Sequence, residues 1–232
     1  MNVAIACLLA MLFAAGCVLL FYKAGFLEKV LVKFGVQKKR TTMNWTAFSW
    51  ESCLIKMDCK ADIVFLGDSL SRGGDFHLHC GEQRLVNLGC SGDTLAGMIG
   101  RVSTAEMLQP KKTFLMGGIN GLTDYNISKS VSTYADLLSA LEKALPECQI
   151  FVQGLLPLTS GKAKKLHCKN ETIRLFNQKI KALAEKRGFV FIDLYPLYEI
   201  NGEMDLAITV DGLHIKPEGY DRWYDALSPY LN

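Results

Sequence analysis

Ile63-Val64-Phe65-Leu66-Gly67-Asp68-Ser69-Leu70 joins an unbroken apolar run to a small, polar turn. A strand with one wet face alternates apolar and polar residues; an unbroken run marks a strand covered on both faces, as in a parallel sheet. Outward from this stretch the same signature recurs at Leu85-Val86-Asn87-Leu88, Thr113-Phe114-Leu115-Met116, Gln149-Ile150-Phe151-Val152 and Phe189-Val190-Phe191-Ile192. Between these runs, residues 131–145 and 171–187 repeat apolar side chains every three or four positions, as surface helices do, and Gly188 follows the second where a helix stops. Strands alternating with helices predict an α/β domain over residues 61–232, with helices on both sides of a parallel sheet.

Toward the N-terminus the chain changes character. Asn2 to Tyr22 carries no charged side chain, and about 20 apolar residues suffice to cross a bilayer as a helix. No Lys or Arg precedes the run, which disfavours a cleaved signal peptide. Ala14-Ala15-Gly16-Cys17 resembles a lipoprotein processing site, but Val18, Leu19, Leu20 and Phe21 continue the run past it. An uncleaved transmembrane anchor over residues 1–25 is therefore expected. Residues 26–60 read as a connector, in which Phe26, Val30, Leu31 and Phe34 recur at near-helical spacing, either as a surface-lying segment or as a stalk.

Sidedness stays open. Lysines and Arg40 after the span point to a cytoplasmic domain. The even number of cysteines beyond it, with Cys53 near Cys59 and Cys80 near Cys90, points outside, as do the glycosylation-type triplets at Asn44, Asn126 and Asn170. The formal net charge of +3 exerts no strong pull on nucleic acid.

In open α/β sheets, sites form beyond the carboxyl ends of the strands. Gly67-Asp68-Ser69-Leu70, Gly89-Cys90-Ser91-Gly92-Asp93 and Gly117-Gly118-Ile119-Asn120-Gly121 follow successive strands, and Asp211-Gly212-Leu213-His214 precedes a C-terminal helix. These are the parts of an acyl-transfer site. A serine hydroxyl needs a neighbouring base to take its proton; Ser69 suits the nucleophile and His214 the base. Asp211, three residues earlier, can accept from the other imidazole nitrogen and fix its tautomer. The N–H of Ser69, the N–H of Gly89 and the side-chain amide of Asn120 are candidate donors to the oxyanion of a tetrahedral intermediate.

These blocks resemble those of the SGNH, or GDSL, hydrolases, in the family's order. Asn87-Leu88-Gly89 with Gly92-Asp93-Thr94, Gly154-Leu155-Leu156-Pro157 and Gly219-Tyr220 are similar to the branch containing the platelet-activating-factor acetylhydrolase catalytic subunits. The resemblance covers about residues 61–231. It implies a flavodoxin-like three-layer α/β/α fold and cofactor-free, metal-free hydrolysis through an acyl-serine. It also implies Ser69, His214 and Asp211 as triad, and Ser69, Gly89 and Asn120 as oxyanion hole. The expected substrate is a small-molecule ester, with short acyl groups such as acetyl on a carbohydrate or lipid. One departure stands out: Gly121 occupies the position where the family places Asp.

Other residues have plainer explanations. A lone histidine is more often structural than catalytic, which fits His77, His79 and His167. His77-x-His79 with Cys80 lacks the spacing of a zinc site. Asp193 ends a strand far from His214. Lys162, Lys164 and Lys165 read as a solvated basic loop. The rival functions are a thioesterase or lysophospholipase with the same machinery, and a membrane-tethered binding module without turnover.

Overall fold

The computed structural model of the protein describes residues 60–231. Strands β1 (Ile63–Gly67), β2 (Leu85–Gly89), β3 (Lys112–Met116), β4 (Gln149–Gln153) and β5 (Val190–Ile192) form one parallel sheet in the spatial order β2-β1-β3-β4-β5. Every residue of β1 is buried, which explains its unbroken apolar run. Among the described residues seven helices accompany the strands: α1 (Ser69–Arg72), α2 (Leu95–Gly100), α3 (Val102–Leu108), α4 (Ile127–Ala144), α5 (Ser160–Leu166), α6 (Asn170–Glu185) and α7 (Pro217–Leu231). Short 3-10 turns lie at Phe76–His79, Tyr195–Leu197 and Leu206–Ile208, and β6 (Glu199–Ile200) pairs with β7 (Glu203–Met204) in a small hairpin.

The pleat assigns side chains to two faces. Phe65, Phe114 and Phe151 are register partners on neighbouring strands, and their rings stack at centroid distances of 4.8 and 4.5 Å. Phe76 extends the row from Phe65 and meets Trp223 of α7 edge-on, while Tyr230 of α7 packs against Phe151. This face is thus covered by α7 and the turn at Phe76. Val64, Leu66, Leu115 and Val152 alternate to the opposite face. There α4 packs against α2 and α6, and Leu137, Leu138, Leu141, Ile173 and Phe176 are fully buried. Each such side chain stabilises the fold by about 1.5–3 kcal/mol relative to exposure.

Two asparagines of α6 fix the extended segment after β4. Asn177 brackets Leu155, accepting from its N–H at 2.9 Å and donating to its carbonyl at 2.8 Å. Asn170 does the same for Leu158, at 2.8 Å each way, and also donates to the Gly202 carbonyl. Asn170 begins one of the glycosylation-type triplets, yet it is 7% exposed and its amide is fully engaged, so it is a packing residue and not a glycan acceptor.

The helices expected at 131–145 and 171–187 begin earlier, at Ile127 and Asn170. The α2–α3 pair was not anticipated, because Gly97 and Gly100 interrupt the apolar period of α2. Cys80 and Cys90, a candidate pair by spacing, are both buried and form no disulfide, nor do half-buried Cys148 and buried Cys168; the Cys80 thiol instead donates to the carbonyls of His77 and Gln83. The expected anchor, and the connector up to residue 59, lie outside the described residues. Among the described residues no helix is long and apolar enough to cross a membrane.

Candidate active site

β1 delivers its last residue, Gly67, to the edge of the sheet, where a Cβ would lie 2.7 Å from the Met116 carbonyl oxygen. The chain then turns sharply. Asp68 takes an extended conformation and caps α1, its Oδ1 accepting from the Leu70 N–H at 3.0 Å. Ser69 thereby becomes the first residue of a helix, with a backbone N–H that has no intrahelical acceptor. Asp68 is wholly buried and its Oδ2 has no partner. Desolvation pushes its carboxyl up to about 6, although the Leu70 N–H and the nearby His214 pull the other way.

His214 reaches Ser69 from the far end of the domain. A bridge between Thr209 and Ile215 closes the preceding turn, and the His214 carbonyl accepts from the Val210 N–H and the Thr209 hydroxyl, both at 2.8 Å. The ring is consequently held with Nε2 2.9 Å from Ser69 Oγ and Nδ1 3.2 Å from Asp211 Oδ1. The same Asp211 oxygen accepts the backbone N–H groups of Leu213 and His214, at 3.1 and 2.9 Å. A carboxylate at Nδ1 selects the tautomer whose Nε2 lone pair faces the serine hydroxyl. The imidazole and carboxylate are 43% and 39% exposed, so the pair borders solvent and is open to a substrate.

One participant comes from the supposed basic loop. Lys162 Nζ donates to Asp211 Oδ2 at 2.5 Å, with a side chain only 13% exposed. Lys164 and Lys165 are exposed as expected; Lys162 is not. Burial raises the Asp211 carboxyl, but the Lys162 ammonium and the two backbone donors outweigh it and hold the carboxyl well below its usual range. No local pattern announces this contact, because its partners are 49 residues apart.

Asn120 projects from the loop after β3 and donates to the Asp93 carbonyl at 2.9 Å, which leaves its second amide hydrogen for a ligand. Asp93 is anchored in turn by Arg101, whose Nε donates to Asp93 Oδ2 at 3.0 Å. The same guanidinium bonds the carbonyls of Gly67, at 3.1 Å, and Leu88. Arg101 thus ties the ends of β1 and β2 to the loop that holds Asn120, a role the sequence did not reveal.

Gly89 differs from expectation. Its N–H donates to Asn87 Oδ1 at 2.9 Å, so this donor is already engaged. A Cβ there would lie 2.3 Å from the Arg72 nitrogen, so the glycine lets α1 pack on β2. Gly121, the departure in the third block, has φ +111, a conformation that an Asp side chain would strain. Its carbonyl accepts from Asn126 Nδ2 at 2.7 Å.

The remaining candidates are employed elsewhere. His79 stacks on Tyr224 at 3.9 Å, His167 ends α5 in the left-handed conformation, and Asp193 accepts from the Tyr195 N–H. Cys90 is buried behind the second loop.

Comparison with known proteins places this geometry. Residues 65–222 match the GDSL-like lipase/acylhydrolase family. No curated protein matches the chain significantly. A structure described as a platelet activating factor from Streptococcus pneumonia superposes with a TM-score of 0.72 at 20% identity, covering 91% of this chain and 99% of its own. A GDSL-like lipase from Bacteroides thetaiotaomicron gives 0.67 at 19% identity, covering 82% and 97%. A carbohydrate esterase family 3 protein from Talaromyces cellulolyticus gives 0.59 at 17%, covering 73% and 95%. At such identities the superpositions establish a shared fold, and the match over residues 65–222 establishes kinship: the chain belongs to the GDSL-like lipase/acylhydrolase family and is a hydrolase acting on esters.

Proposed function

We propose that the protein cleaves esters through an acyl-serine intermediate, with Ser69 as nucleophile, His214 as general base and acid, and Asp211 as its orienting partner. The observation that carries this reading is the continuous series from Ser69 Oγ to His214 Nε2 at 2.9 Å and from His214 Nδ1 to Asp211 Oδ1 at 3.2 Å. Nε2 takes the hydroxyl proton as Oγ attacks the ester carbonyl, and returns it to the departing alkoxide. Water then repeats the sequence on the acyl-serine, releasing the acid and restoring Ser69.

The tetrahedral oxyanion needs donors already in place. The Ser69 N–H and the second hydrogen of Asn120 fill two positions. The third candidate, the Gly89 N–H, rests on Asn87 Oδ1 at 2.9 Å and must leave it to reach the oxyanion. The favoured substrates are short acyl esters, acetyl above all, on a carbohydrate or lipid alcohol; the likeness to a carbohydrate esterase supports the former. The charge-free run from Asn2 to Tyr22 supports anchorage at a membrane.

The test is hydrolysis of p-nitrophenyl acetate, butyrate and octanoate by the full detergent-solubilised chain and its Ser69→Ala variant. The expected result is turnover fastest on acetate, lost by at least about 10³-fold in Ser69→Ala, with fluorophosphonate labelling only of the parent. Turnover that survives Ser69→Ala would refute the acyl-serine route. A folded parent that neither turns over nor labels would favour a binding module.

A further inference from the structure

We propose that Lys162 is a positioning residue of this site: its ammonium fixes the Asp211 carboxylate through Oδ2 and sets the pH range in which His214 acts as a base. The inference rests on the triad reading above. The two carboxylate oxygens of Asp211 divide their work. Oδ1 faces the imidazole and the N–H groups of Leu213 and His214, while Oδ2 takes the Lys162 ammonium at 2.5 Å. Without that ammonium nothing among the described contacts restrains Oδ2, and the carboxylate's orientation rests on the three contacts of Oδ1 alone.

The helix that carries Lys162 is fitted to the Asp211 turn. Thr159 caps α5, its Oγ1 accepting from the Lys162 N–H at 3.4 Å, and its own N–H donates to the Gly212 carbonyl at 3.1 Å. Gly212 has φ +86, and a Cβ there would lie 2.1 Å from Thr159 Oγ1 and 3.1 Å from Lys162 Cβ. The Ser160 N–H is held by Glu203 Oε2 at 2.8 Å. Lys162, at 13% exposure, is more enclosed than either Asp211 or His214. A solvated surface lysine would not be built in this way.

The charge matters as well as the bond. The groups facing His214 are Asp211 from its own turn, buried Asp68 from the β1–α1 turn and, through Asp211, Lys162 from α5. The neighbouring Lys216 directs its ammonium to the Ala207 carbonyl at 2.8 Å. A protonated imidazole cannot accept the Ser69 proton, and a cation on the far oxygen of Asp211 competes with imidazolium for that carboxylate's charge. Removing the Lys162 charge therefore carries imidazole protonation to higher pH.

The experiment compares kcat/KM against pH for the full chain, Lys162→Met and Lys162→Arg, with exposed Lys164→Met as the control for a bare loss of charge. In Lys162→Met the acidic limb is expected to move up by about 0.5–1 pH unit. The plateau should fall about tenfold, the scale on which outer partners of catalytic groups act. Lys162→Arg should restore the limb, and Lys164→Met should leave it in place. If Lys162→Met fails to fold, Lys162→Gln, which can still donate to Oδ2, carries the same expected shift. A limb that stays put in a folded, uncharged variant, or one that moves equally in Lys164→Met, overturns the inference. Loss of Ser69 dependence in the parent would overturn the triad instead, so the two failures are distinct.

Discussion

Replacing Arg101 by Met should damage both stability and turnover, although Arg101 touches none of Ser69, His214 and Asp211. Its guanidinium pairs with Asp93, each side chain only 12% exposed, and bonds the carbonyls of Gly67 and Leu88. Methionine preserves the stem's apolar packing but leaves Asp93 Oδ2 without its cation and takes one donor from each strand-end carbonyl, although Asp93 Oδ1 keeps the Thr94 N–H and the Gly67 carbonyl keeps the Cys90 N–H. Breaking a buried pair by removing one partner costs about 3–5 kcal/mol. Some access of water to Asp93 places the expected loss at the lower end, about 3 kcal/mol, a large share of the 5–15 kcal/mol typical of a domain. For a domain of this size that lowers Tm by roughly 6–12 °C. Because the Asp93 carbonyl holds Asn120 at 2.9 Å, kcat should also fall, by about tenfold. That is less than the 10²–10³ seen on deleting an oxyanion donor outright. KM should change little, since the displaced group acts on the transition state. Urea denaturation and steady-state kinetics on Arg101→Met, Asp93→Asn and the double variant test this. The double variant should be destabilised by clearly less than the sum of the singles, because the two side chains share one interaction. A loss below about 1 kcal/mol with an unchanged kcat would mean that water replaces the guanidinium, and the view of Arg101 as the tie between β1, β2 and the Asn120 loop would fall.

What the sequence disclosed and what it hid differ in physical range. The strands were legible because a sheet covered on both faces demands apolar residues at every position, as the wholly buried β1 illustrates. Asp211 and His214 were legible because a spacing of three residues in a tight turn can bring two side chains together, and here they meet at 3.2 Å. Ser69 could be joined to them only by supposing that the strand ends converge, which they do at 2.9 Å. Arg101 and Lys162 were hidden because their contacts reach as far as 34 and 49 residues and depend on which helix lies against which loop. Gly89 shows a subtler limit. A glycine after a strand signals close approach, but not by what; the approaching atoms belong to the Arg72 backbone. The α2–α3 segment escaped because Gly97 and Gly100 blur the period of a helix held by a Thr94 cap and by the burial of Leu95 and Met98.

Two further perturbations probe the frame of the site. Gly212→Ala forces a Cβ to within 2.1 Å of Thr159 Oγ1 at φ +86. It should cost about 2–4 kcal/mol in urea denaturation from left-handed strain plus overpacking, with kcat falling as Asp211 shifts; a neutral effect on both would show that α5 is not locked to this turn. Asp68→Asn tests the buried carboxyl and has a definite sign. In the unfolded chain the Asp68 carboxyl titrates near 3.8, and in the folded domain burial raises it to about 6. Between these values the native state retains a proton that the unfolded state has released, so stability declines as pH rises from about 4 to 6 and is level above. Asparagine keeps an oxygen to accept from the Leu70 N–H but carries no proton to lose. The variant's advantage over the parent should therefore be smallest at pH 4 and grow by up to about 3 kcal/mol by pH 7, at about 1.4 kcal/mol for each unit separating the two titrations. Denaturation of both proteins at several pH values reads this slope directly, without requiring the variant to be the more stable at any one pH. Parallel stability curves would mean that Asp68 Oδ2 finds a water or another donor in solution, and the buried carboxyl beside Ser69 would then be an ordinary, ionised helix cap.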